Sequence, residues 1–154
     1  MKNTSYKEIA DICFSKIKDI DLSLLNEDIA YEIMIGYLPI ACVKFQYCKQ
    51  DLDDRDDVFQ EFNFKLTGNN LHILCNYIVI EYIDSNYLRT TSLLKARLTP
   101  NDFKSLNLPQ HLSKIIELRE MLKSENDQLS IDKSYKDSDL YEIATSRKVR
   151  KRHE

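Results

Sequence analysis

The chain has 154 residues, 43% of them hydrophobic and 31% charged, with a formal net charge of −3. That is the size and mixture of one globular domain around a single core, and the mild negative charge gives no whole-molecule case for binding nucleic acid. Two glycines and three prolines, where average usage gives roughly ten and eight, argue against a β-sandwich or Rossmann sheet and favour helices joined by polar loops.

Ser5 and Glu8 match a capping box, and Tyr6, Ile9, Cys13, Ile17 and Ile20 follow at helical spacing, predicting a first helix of about four turns. Asn26 suits the cap of a second helix, with Glu27 and Asp28 in the first turn, where negative charge meets the positive helix end. Ile29, Ile33, Tyr37, Ala41 and Phe45 would form its inward face. Pro39, which cannot donate to the carbonyl of Ile35, predicts a kink near residues 36–39. Phe62, Phe64 and Leu66 alternate with polar residues and read as a short extended segment. Thr67 or Asn70 can cap a third helix carrying Leu71, Leu74, Cys75, Ile78 and Tyr82, the most apolar and the candidate centre of the core.

A weaker helical stretch follows at residues 87–98. Thr99, Pro100 and Asp102 mark another helix start, and Pro109 opens a long last helix through Leu112, Ile115, Ile116, Leu118, Leu122 and Leu129 toward Tyr135. Beyond Asp137 the periodicity fades, so residues 1–136 read as a helical domain and 137–154 as a basic arm with no core of its own. The expected fold is therefore mainly α: a compact bundle of about five helices with one short extended segment and an extended C-terminal arm. No apolar run reaches the ~18 residues of a membrane span, and the N-terminal stretch lacks a signal-peptide core, so a cytoplasmic site of synthesis with reduced cysteines is expected.

Charge is divided unevenly. Residues 51–61 hold six acidic side chains against Arg55, whereas Arg147, Lys148, Arg150, Lys151 and Arg152 crowd into six positions. "DLDDRDDVFQEF" invites a calcium reading, but an EF-hand register begun at Asp51 puts Arg55 on a ligand position and Phe62 where a bidentate acid belongs. A structural turn fits better, with Arg55 held by carboxylates and Phe59 and Phe62 anchoring the turn to the core. A zinc set of Cys42, Cys48, His72 and Cys75 has the wrong spacing for a knuckle, and buried thiols are the plainer reading. No nucleophile elbow or phosphate loop is present, so no enzyme activity, metal or cofactor is expected. The basic run suits either phosphates or an acidic protein surface, without a recognition pattern for sequence-specific binding.

The string "ACVKFQYCKQDLDDRDDVFQEFNFKLT" (residues 41–67), the helix "LHILCNYIVIEYI", the start signal "LTPNDF" and "LSKIIELREMLKSENDQLSIDKSY" together resemble the small head–tail connector proteins of tailed bacteriophages. The resemblance spans roughly residues 5–136, and its most specific part is the Asp-Leu-x-Asp-Arg-Asp-Asp run with Phe-Asn just after it. It implies a non-enzymatic virion component at the head–tail interface, assembled in the host cytoplasm. Such a protein forms a ring, commonly a dodecamer, under the portal protein and extends the channel through which genomic DNA passes without sequence-specific contact. Its partners would be the portal, neighbouring copies of itself and the next neck or tail component, with no membrane. Asp53, Asp54, Asp56 and Asp57 are then expected on one contact face, and Arg147, Lys148, Arg150, Lys151 and Arg152 on an arm reaching a neighbour or the portal. Two other readings stay open: a small cytoplasmic binding module of immunity or regulatory type using the acidic turn, and a nucleic-acid accessory protein using the basic tail.

Overall fold

The computed structural model describes residues 3–17, 22, 24–89 and 108–136. The fold is mainly α, with a three-stranded scrap of sheet at one side. The expected helix start at Thr99–Pro100–Asp102, the stretch beyond Arg89 and the whole segment 137–154, with Arg147 to Arg152, lie outside the described residues.

Helix α1 spans Tyr6–Lys16; Ser5 caps it by accepting from the Glu8 amide at 3.2 Å, and it stops at Ile17, shorter than the spacing predicted. Helix α2 spans Glu27–Ile35, with the Asn26 side chain accepting from the Asp28 amide at 3.2 Å. Helix α3 spans Leu38–Lys44 and takes Pro39 into its first turn, where a missing N–H leaves no helical bond unmade. Gly36 and Tyr37 between them keep right-handed helical angles, so α2 and α3 form one helical path with a bend.

The expected inward face holds at Ala41 and Phe45 but not at Ile29, Ile33 and Tyr37. Ala30, Met34, Leu38, Ala41 and Phe45 are buried, whereas Ile29 and Ile40 are exposed and Ile33 is half-buried. Both faces are apolar at helical spacing. The structure buries the one with alanines at two positions, which lets the backbone sit close against its neighbours.

Helix α4, Gly68–Ile83, is capped by the Thr67 hydroxyl, which accepts from the Asn70 amide at 3.4 Å. Every residue from Ile73 to Ile83 except Tyr77 is buried, as suits a helix covered by α1, α2, α3 and α5 on different sides. Its end winds into a π-helical turn, Asp84–Arg89. Glu81, buried there, is neutralised by the Lys44 ammonium from α3.

Helix α5, Leu108–Lys136, is 29 residues long, or about 43 Å at 1.5 Å per residue. It runs antiparallel to α4: Arg119 grips Asp84 at one end through two bonds of 2.9 and 3.0 Å, and Lys133 reaches the Asn70 side chain at the other. Leu112, Ile115, Arg119, Leu122, Asn126, Leu129 and Lys133 turn inward at three- and four-residue spacing, a narrow seam of the kind that coiled coils use. Ile116 and Leu118, also among the apolar residues that marked this helix, lie off the seam and are both more than two-fifths exposed.

Strands β1 (Thr4–Ser5), β2 (Arg55–Asp56) and β3 (Glu61–Phe62) pair antiparallel in the order β1-β3-β2, with Phe62 opposite both Thr4 and Arg55. The buried Thr4 hydroxyl accepts from the Leu66 amide at 2.9 Å, tying the start of the chain to the approach of α4. Among the described residues no helix is long and apolar enough to cross a membrane.

Candidate protein-contact site

The aspartate run folds as two consecutive turns and a hairpin, and its spacing follows from that. Asp51 accepts from the Asp53 amide at 3.0 Å, and Asp56 accepts from the amides of Val58 and Phe59 at 2.9 and 3.0 Å. These are Asx turns, in which a short carboxylate replaces a backbone acceptor. Asp54 holds Asn63 on the return strand through side chain and backbone, at 2.7 and 3.2 Å. Gln60 closes the loop at φ 54°, a left-handed conformation, and its carbonyl accepts from the Tyr6 amide at 2.8 Å.

Arg55 lies between Asp53 and Asp57, but loosely, at 3.4 and 3.6 Å. Its shortest bond, 2.9 Å, goes to the Leu52 carbonyl, so the guanidinium bridges the turn rather than docking bidentate on one carboxylate. Asp57 also accepts from the Tyr6 hydroxyl at 2.6 Å. Burial, and then that bond, push the Tyr6 phenol well above its ordinary range. Asp53, Asp54 and Asp57 remain exposed and Asp56 half-buried.

Phe62 is fully buried, edge-on to Tyr6 at a ring separation of 5.8 Å. Phe59 does not anchor the turn: it is 76% exposed, beside Val58 at 87%. The two Asp56 bonds and the left-handed Gln60 curl the loop so that residues 58 and 59 form its outward tip. One of the two aromatic residues expected as anchors is therefore a surface group.

A second apolar surface was not anticipated. At 100° per residue the helical path through α2 and α3 puts Ile29, Ile33, Ile40 and Val43 within about 40° of one line. Tyr47 follows in the turn after α3. Val43 is 74% and Tyr47 66% exposed. The signal was present in the sequence, since the path is apolar on two faces and only one of them can pack on the core. The hairpin lies alongside the same helices: Tyr31 of α2 donates to the Gln60 side chain at 2.9 Å, and Arg55 and Asp53 sit beside the Cys42 thiol of α3. Burial pushes that thiol up to about 11, with Arg55 opposing it.

Elsewhere the polar groups are structural. Cys13 and Cys75 face one another across α1 and α4, each thiol donating to a carbonyl on the opposite helix at 3.8 and 3.7 Å. Their mutual hydrogen bonding, and then burial, hold the Cys13 thiol far above its ordinary value. His72 lies between Lys16, at 3.2 Å, and Glu125, at 3.7 Å. Among the described residues no group of three or more His, Cys, Asp or Glu is placed to hold a metal. A cavity of about 190 Å³, lined by residues that include Asn69, His72, Asp132 and Lys133, lies below the roughly 300–1,000 Å³ of small-molecule sites.

Comparison with protein-family models, curated proteins and solved structures gave no match.

Proposed function

We propose that this chain is a structural adaptor that acts by protein contact, and specifically a ring component at the head–tail junction of a tailed bacteriophage, seated beneath the portal. The observation that carries the reading is the exposed pair Val58–Phe59 on a hairpin whose root is fixed at many points. A rigid loop that projects two large apolar side chains is a contact device, because leaving them in water costs what burial against a partner recovers. The outward stripe of α2 and α3 supplies a second, different surface. Head-to-tail rings need two unlike faces per subunit, and these elements meet that need. The hairpin is also the segment with the most specific resemblance to connector proteins. In this reading Asp53, Asp54, Asp56 and Asp57 belong to the hairpin's contact face, and Arg147, Lys148, Arg150, Lys151 and Arg152 serve docking.

The test is the native mass of the purified protein, alone and mixed with the portal protein of the same genome. A ring-sized complex forming with the portal is expected. A chain that stays monomeric and ignores the portal overturns the assignment. A tight one-to-one complex with a basic protein would instead favour a small binding module using the exposed Asp53 and Asp54.

A further inference from the structure

We infer that the outward face of α2 and α3 seats a basic amphipathic helix of a partner protein. The inference deepens the reading of this chain as an adaptor and rests on the protein-contact part of that reading, not on the portal.

The face is apolar along its centre and acidic along one border. Ile29, Ile40, Val43 and Tyr47 are exposed on it, and Leu25, also exposed, stands in the bend before α2. Asp28 and Glu32, both exposed, fall about 60–100° round the helix from that line, on the side toward Tyr31. Beyond Tyr31, which donates to the Gln60 side chain, stands the hairpin with the exposed Asp53, Asp54 and Asp57. Arg55 within the hairpin is held by Asp53, Asp57 and the Leu52 carbonyl. On the other border Lys44 is neutralised by the buried Glu81. The charge of the face is therefore negative and lies on one side.

That charge selects the class of partner. DNA, RNA and anionic lipid all present phosphate, which an acidic border repels. Exposed apolar side chains in a row, rimmed by polar ones, instead mark a protein interface. Paired antiparallel with its own copy, the face would set acidic border against acidic border. The backbone decides the partner's form. Residues of α2 and α3 have their peptide groups bonded within the helical path, so they offer an extended strand nothing to pair with. A helix arrives with its own hydrogen bonds made. From Ile29 to Val43 the face runs about 21 Å at 1.5 Å per residue, the length of about four turns. The matching helix carries apolar residues at i, i+3, i+4 and i+7, with Lys or Arg along one flank only, because one border alone is acidic.

The test is titration of the full chain with a fluorescently labelled synthetic peptide of about 15 residues, with Leu at that helical spacing, Lys on one flank and Gln elsewhere. At low salt one peptide should bind per chain. A shuffled peptide of the same composition, and one with Glu in place of each Lys, should bind at least tenfold more weakly. Val43→Asp should weaken binding at least tenfold, and so should Asp28→Asn combined with Glu32→Lys. Far-UV circular dichroism should stay unchanged in both variants, since all three side chains are exposed. Raising salt to about 1 M, where the Debye length falls to about 3 Å, should weaken wild-type binding. Phe59→Asp should leave peptide affinity within about twofold, which separates this face from the hairpin tip. A chain that ignores the portal but binds the peptide in this way refutes the portal assignment alone, so the two readings fall separately. No binding, equal binding of the shuffled peptide, or affinity that survives both sets of substitutions overturns the inference. So does self-association of the wild type that Val43→Asp abolishes, which would assign the face to a second copy.

Discussion

Asn126 lies on the packed seam of α5, fully buried, and among the described residues neither its amide nitrogen nor its carbonyl oxygen has a hydrogen-bond partner. Ser130, one turn on, is buried with its hydroxyl equally unpartnered among them. Two polar atoms held dry and unpaired each cost about 1–3 kcal/mol by mutational measures, and a side chain of similar length without them removes that cost. Asn126→Leu also adds apolar burial, against an overpacking cost of about 1–3 kcal/mol if the branched end does not fit. The net expectation is stabilisation by about 1–2 kcal/mol, which for a domain of this size raises the melting temperature by about 2–8 °C. Ser130→Ala separates the two contributions. It removes an unpaired hydroxyl without adding volume, and should stabilise by about 1 kcal/mol. Urea unfolding followed by circular dichroism measures both, and hydrogen exchange along α5 reads how firmly the register is held. A polar residue on a packed seam can instead be retained to fix that register, so Asn126→Leu should blur exchange protection in α5 even as it stabilises. Destabilisation of more than about 1 kcal/mol by both substitutions would show that these atoms are paired in solution and refute the reasoning.

The hairpin and the thiols give further expectations. Phe62→Ala should cost about 3–5 kcal/mol and Phe59→Ala less than about 0.5, since one ring is in the core and the other in water; similar losses in urea unfolding would contradict the assignment of Phe59 to the surface. Arg55→Ala should lower stability by about 1–2 kcal/mol, largely through the lost bond to the Leu52 carbonyl, and an unchanged melting temperature would show that the bridge is ornamental. The Cys42 thiol holds its proton to about 11 in the folded chain against an ordinary 9.0. Between those values the unfolded chain binds fewer protons, so stability should be intact below about pH 9 and fall by about 1.4 kcal/mol per pH unit above it. Cys13 and Tyr6, both shifted upward, act in the same direction. Cys42→Ser should flatten part of that alkaline loss, and an unchanged slope in pH-dependent unfolding would count against the thiol's part.

Much of the fold was readable because local chemistry decided it. Ser5, Asn26 and Thr67 cap the helices they precede, Pro39 marks the bend between α2 and α3, and the apolar run from Leu71 to Ile83 became the central helix. Where the reading failed, two local solutions competed and only tertiary packing could choose. The α2–α3 path is apolar on both sides, and β-branched Ile29 and Ile33 looked more like core than Ala30 and Met34 did. Phe59 and Phe62 are equally aromatic, and the Asp56 bonds that send one outward depend on a turn type that "DDVFQEF" does not announce. The pairing of Thr4–Ser5 with Glu61–Phe62 joins segments nearly sixty residues apart, beyond the range of any local pattern. At the hairpin, the sequence suggested both a structural turn and a contact face for Asp53, Asp54, Asp56 and Asp57. The exposed tip at Val58 and Phe59 emerged only with the loop's curl.

The measurement closest to the central claim is complex formation by the Phe59→Asp variant. Its circular dichroism and melting temperature should match the wild type, because nothing in the core is touched. Mixed with the portal protein of the same genome, it should fail to give the ring-sized mass that the wild type gives. A folded variant that assembles as the wild type does would contradict the claim that the hairpin tip is a docking surface.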